Sequence, residues 1–127
     1  MLVNYNPNPD HARVGDCTVR AICKALNQEW EYTYIGLCLE GFLAHDMPSA
    51  NAVWGSYLRG KGFKRHIVDH ECDSCYTLGE FCKEYPNGTY IVGLDGHVVC
   101  VVDGNIYDSW DSSQEVPIYY WHKEDDT

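Results

Sequence analysis

The chain has 127 residues, 45% of them hydrophobic, enough for one compact domain that buries roughly two-thirds of the surface its unfolded chain exposes. Nine basic residues against nineteen acidic ones leave a formal charge of −10, and apart from Lys61, Lys64 and Arg65 the cations are scattered singly, which argues against a nucleic acid or an anionic membrane as partner. The Met1-Leu-Val-Asn start carries neither a basic run nor a long apolar one, and no stretch approaches about 20 apolar residues, so the sequence reads as a cytoplasmic protein without a signal peptide or membrane span.

Residues 1–15 include Asn6-Pro7-Asn8-Pro9, and each residue before a proline is pushed toward extended geometry, so this segment is predicted as an arm and not a helix. Asp16 is positioned to N-cap a helix whose apolar residues Val19, Ile22, Cys23 and Leu26 recur at i, i+3, i+4 and i+7, ending near Asn27. A second helical pattern runs through Trp30, Tyr34, Leu37, Cys38 and Phe42. A third, opened by Pro48-Ser49, carries Val53, Trp54, Tyr57 and Leu58 and stops at Gly60.

After Gly62 the period changes: 63–68 reads as a strand, 78–85 as a short helix stopped by Pro86, and 89–94, 97–102, 105–110 and 117–122 as strands. Helices first and strands afterwards predict a single α+β domain over 1–127 with an antiparallel sheet and a frayed acidic tail at 124–127.

Cys17 falls in the first turn of the first predicted helix. There, unpaired backbone N–H groups and the positive end of the helix dipole favour a thiolate and can receive the oxyanion formed when sulfur attacks a carbonyl. Taken alone, the same cysteine reads as a small buried packing residue. The downstream hairpin changes the balance. Asp103-Gly104 between two β-rich runs marks a two-residue turn, which pairs Val102 with Asn105, Val99 with Asp108 and His97 with Trp110. His97 and Asp108 then become diagonal neighbours on one face, about 7–8 Å apart at the backbone, which an imidazole and a carboxylate leaning together can close. Trp110 would shelter that bond from water. In this reading His97 takes the thiol proton and Asp108 orients the ring, while Asp103 serves the turn and Asp111 lies on the opposite face. A buried histidine satisfied by a structural carboxylate is the competing interpretation.

These segments resemble the papain-like cysteine peptidases. Asp108-Ser109-Trp110 is similar to their Asn-Ser-Trp segment, the order Cys, His, Asp matches theirs, and Gly15-Asp-Cys-Thr-Val-Arg-Ala21 is similar to openings in small phage-borne and bacterial proteins of that kind. In length the chain is similar to the bacteriocin-leader peptidase domains. The resemblance implies N-terminal helices, with the catalytic Cys17 opening the central one, packed on a C-terminal sheet; a Cys17-His97-Asp108 triad; and no cofactor or metal. It departs from the family six residues before Cys17, where His11 stands in place of the oxyanion glutamine. Asn8, or alternatively Asn6, is then the candidate to donate a side-chain amide to the oxyanion, beside the Cys17 backbone N–H.

His66, His70, Cys72 and Cys75 contain enough ligands for a tetrahedral zinc, but four ligands within ten residues are crowded against the longer spacing usual in structural sites. Cys72-Asp-Ser-Cys75 does not open a helix straight after a strand, as a redox motif would. Tyr119, Tyr120 and Trp121 read as core and sheet edge, with an exposed subset as a possible peptide-cleft lining; His45 and His122, and Lys61, Lys64 and Arg65, read as solvated surface. Seven cysteines, several inside apolar patterns, read as free thiols of a reducing compartment, a secreted protein with three disulfides being the competing case. The functional expectation is a thiol-dependent hydrolase acting on a peptide or isopeptide bond of a polypeptide substrate. Deamidation or transglutamination through the same triad, and a catalytically silent module binding a host protein, are the alternatives.

Overall fold

A computed structural model describes residues 1–68 and 76–123. Among them the chain forms β1 (Leu2–Asn4), α1 (Cys17–Leu26), α2 (Trp30–Ala44), α3 (Asn51–Gly60), β2 (Phe63–Ile67), α4 (Leu78–Glu84), β3 (Thr89–Leu94), β4 (His97–Val102), β5 (Asn105–Asp108) and β6 (Tyr119–Lys123). The α+β class and the order of helices before strands agree with the sequence pattern. The acidic tail at 124–127 and the zinc candidates His70, Cys72 and Cys75 lie outside the described residues, so only His66 of that group can be placed. No helix among the described residues is long and apolar enough to cross a membrane.

The six strands lie in the order β1-β5-β4-β3-β6-β2. Two expectations are corrected here. The sheet is mixed and not purely antiparallel, because the arm contains β1, whose Leu2, Val3 and Asn4 pair in parallel with Ile106, Tyr107 and Asp108. A three-residue strand is too short to show a period, and its partner lies about a hundred positions away in the chain. Second, β6 is an internal strand between β3 and β2, not a sheet edge, so Trp121 is buried and Tyr119 and Tyr120 are half-buried.

Two apolar layers sandwich the sheet. On one face Ile91, Val98, Cys100 and Trp121 pack under Ala21 and Ile22 of α1, Leu37 of α2, and Trp54, Tyr57 and Leu58 of α3. On the other, Val92, Val99, Val101 and Ile106 meet Leu78, Phe81 and Cys82 of α4. The α2 stripe differs from the predicted one: Thr33, Leu37 and Gly41 face inward, whereas Tyr34 and Phe42 are exposed. This helix is apolar nearly all round, so periodicity could locate it but could not choose its buried face.

Candidate functional site

The β4–β5 hairpin builds half of the site. Asp103 and Gly104 both adopt positive φ, 49° and 78°, as a type I′ turn requires, and the ladder runs Val102 to Asn105, Val101 to Ile106 and Cys100 to Tyr107. The second strand stops at Asp108, short of the predicted 105–110, because the chain turns there and Asp108 Oδ1 accepts a hydrogen bond from the Ser109 backbone N–H at 2.7 Å. His97 opens β4 and Asp108 closes β5, so both stand at one end of the sheet. His97 Nε2 and Asp108 Oδ2 are 2.7 Å apart. Trp110 lies against the imidazole with ring centroids at 4.9 Å, although it remains 45% exposed itself.

The first turn of α1 meets that end of the sheet. Cys17 and His97 line the same two cavities there, and the imidazole and the Val98 backbone N–H lie close enough to act on the thiol. Burial alone would raise the thiol's pKa, but the His97 hydrogen bond, the Val98 amide and the His97 charge outweigh it and hold the thiol below its ordinary value. The complementary shift appears on His97. Burial disfavours the imidazolium, yet the hydrogen bonds to Asp108 and Cys17 and the Asp108 charge prevail, raising its pKa to about 9. Asp108, though burial opposes its charge, is kept below the usual carboxylate range by His97, the Ser112 hydroxyl and the Ser109 amide. By contrast, burial pushes the thiols of Cys23, Cys82 and Cys100 up. Among the described thiols whose pKa is shifted, that of Cys17 is the one lowered, and it lies beside the imidazole whose pKa is raised.

Behind this trio lies a buried charge network of which the sequence showed only parts. Asp16 does not cap α1 with its side chain, which corrects the expected role. Its carboxylate instead accepts Arg20 Nη1 at 2.6 Å and Trp30 Nε1 at 2.9 Å. Arg20 in turn donates from Nη2 to Asp108 Oδ1 at 3.1 Å, and the buried Ser112 donates its hydroxyl to Oδ2 at 2.8 Å. Four donors thus fill the four acceptor positions of a carboxylate with no solvent exposure. Negative and positive groups alternate from Asp16 through Arg20 and Asp108 to His97, which is how buried charges are tolerated. The Asp16–Arg20 spacing of i, i+4 was a readable helix ion-pair signal, but Ser112 left no local one.

Asn8 is placed elsewhere than its proposed role requires. It is buried in the arm, where Oδ1 accepts the Asp10 and Ala12 backbone N–H groups at 2.9 and 3.3 Å, so it shapes the loop, and it does not line the cleft. Asn6 does line it, beside Cys17, His97 and Trp110, while donating one amide hydrogen to Ala12 O at 3.3 Å. The N–H groups of the first α1 turn, Cys17 included, have no intrahelical acceptor.

Two cavities of about 470 and 420 Å³ open on Cys17 from either side, within the range that accommodates ligands. The second is walled by Tyr119, whose ring crosses Gly93 on the neighbouring strand; a Cβ there would lie 2.0 Å from the ring. His66 stacks on Tyr120 at 4.9 Å, and no group of three or more metal-ligating side chains occurs among the described residues. No protein-family model matches the chain, and neither does any of the curated proteins or solved structures compared with it.

Proposed function

We propose that this chain is a thiol-dependent hydrolase of the papain-like kind, cleaving a peptide or isopeptide bond in a polypeptide through a thioester on Cys17. What supports the reading is the grouping of Cys17 and His97 on the same cavities, with His97 Nε2 2.7 Å from Oδ2 of the fully buried Asp108; the lowered pKa of the thiol and the raised one of the imidazole agree with it. The Cys17 thiolate adds to the substrate carbonyl. The C–O double bond opens to an oxyanion, which the backbone N–H of Cys17 receives, with Asn6 as the side-chain donor in place of Asn8. As the tetrahedral adduct collapses, the C–N bond breaks and His97 delivers its proton to the leaving amine. Water then adds to the thioester, giving its proton to the now neutral His97, and the acid product leaves with the thiolate restored. None of these steps draws on a cofactor. With a glutamine side-chain amide as the acyl donor, ammonia is the leaving group; water then completes a deamidation, and an amine in place of water completes transglutamination.

The five described cysteines are free, which fits a cytoplasmic setting, and the charge of −10 disfavours nucleic acid as a partner. One observation favours a second reading, a catalytically silent module that binds a host protein: of the two candidate oxyanion donors, Asn6 already donates one amide hydrogen to Ala12 O and Asn8 does not line the cleft. Iodoacetamide labelling across pH separates the two. A hydrolase shows Cys17 reacting well ahead of the other six thiols, with an acid-shifted reactivity profile that His97→Ala abolishes; uniform slow labelling in both proteins overturns the enzyme.

A further inference from the structure

Tyr119 and Asn51, which wall the cavity beside Cys17, also wall a second cavity of about 320 Å³. Its charged lining consists of two arginines from different elements, Arg59 at the end of α3 and Arg65 on β2. In a chain with ten more negative than positive groups, neither arginine has a salt-bridge partner among the described residues; the ion pairs found there belong to Arg20 and His97. Both guanidiniums are nevertheless held in place by aromatic rings. Arg59 lies 5.1 Å from the centroid of Trp121, and Arg65 lies 4.4 Å from that of Tyr119. Stacking orders the planar groups without using their N–H donors, so less entropy is lost when they grip a carboxylate.

Asn51 and Trp121 also line this pocket. Asn51 uses its carbonyl oxygen to accept Trp54 Nε1 at 3.1 Å, leaving its amide nitrogen to donate. Trp121 Nε1 is the one buried side-chain polar atom without a partner among the described residues. Every polar side chain around the cavity therefore offers donors, and the excess charge is positive. Tyr119 and Asn51 are walls common to this pocket and to the cavity that Cys17 lines, so the two are neighbours on the surface.

We propose that this arginine-lined pocket is a specificity subsite that receives the carboxylate of an aspartate or glutamate side chain, a few residues from the bond attacked at Cys17. The proposal rests on the thiol-hydrolase reading and names its substrate class: polypeptides with an acidic residue near the scissile or isopeptide bond.

The test uses peptide electrophiles of both polarities, chloroacetyl-Gly-Xaa-amide and acetyl-Xaa-Gly-chloromethyl ketone, together with versions one glycine longer, where Xaa is Glu, Gln or Lys. The alkylation rate at Cys17 is read by peptide mapping, and the Glu-to-Gln rate ratio is taken within each protein. In one polarity the wild type alkylates with the Glu probe about tenfold or more faster than with its Gln isostere, the discrimination expected of charge-assisted hydrogen bonds, and Lys is slowest. That ratio shrinks on adding salt, falls to near one in R59A/R65A and is largely kept in R59K/R65K. A ratio near one in the wild type for every probe, or one that survives in R59A/R65A, overturns the subsite. Failure of the parent reading looks different: plain chloroacetamide then labels Cys17 no faster than the other thiols and no slower in His97→Ala.

Discussion

Arg20 and Asp108 form a buried ion pair, Nη2 to Oδ1 at 3.1 Å, between helix α1 and the end of strand β5. The same helix supplies Cys17, so one rigid element both presents the sulfur and anchors the carboxylate that orients its imidazole partner. Removing one member of a buried pair strands the other charge. Arg20→Met should destabilise the fold by about 3–5 kcal/mol in urea unfolding, and Arg20→Lys, which keeps the charge but loses the two-pronged geometry, by less. Equal stability of wild type and Arg20→Met would contradict the network.

The His97 shift makes stability depend on pH with a definite sign. Its folded pKa of about 9 lies above the unfolded value of 6.5, so its contribution is fully present below pH 6.5 and is lost as pH rises through about 9. The unfolding free energy of the wild type relative to His97→Ala should therefore fall between those limits, measured by denaturant titration at a series of pH values. A flat difference would show that the imidazole has no charged partners in the native state.

Asp108 has the opposite sign. Its carboxyl is held below the usual range, so its contribution is present above the unfolded value of 3.8 and is lost as pH falls through the folded one. Asp108→Asn should lose most of this acid sensitivity. It should also slow Cys17 alkylation, because the imidazolium that stabilises the thiolate loses its own counter-ion.

Trp110 lies against the His97 imidazole, ring centroids at 4.9 Å, while remaining 45% exposed; if it shields the His97–Asp108 bond, its loss is felt in reactivity and not in stability. Trp110→Ala should lower the Cys17 labelling or turnover rate by about tenfold, equivalent to ~1.4 kcal/mol, and leave the melting temperature nearly unchanged. A large drop in melting temperature would identify the indole as a core residue and not a shield.

Gly93 is required by the ring that lies on it. Gly93→Ala would drive a methyl group into Tyr119, and overpacking of this kind costs about 1–3 kcal/mol. Because Tyr119 walls the cleft, the same change should disturb reactivity at Cys17, whereas Gly60→Ala, at a position with open space around it, should be silent in both assays.

Local chemistry made much of this protein readable. The Asp103-Gly104 turn requires two positive φ angles and set the register as far as Cys100–Tyr107, although the expected His97–Trp110 strand pair does not form because β5 ends at Asp108; the apolar period of α1 put Cys17 in its first turn. Long-range pairing left no such mark. The parallel β1, the internal place of β6, the inward face of α2 and the two cavities meeting at Tyr119 all depend on which surfaces the folded chain buries against one another. Asp16 illustrates the division best. Its residue type and position fit a helix cap, but the cap was displaced because Arg20 and Trp30, arriving from α1 and α2, offered a buried carboxylate stronger partners than a backbone amide. Sequence periodicity determined the elements and one hairpin of the site, and tertiary packing decided which charges meet, because burial selects partners by proximity in space and not by distance along the chain.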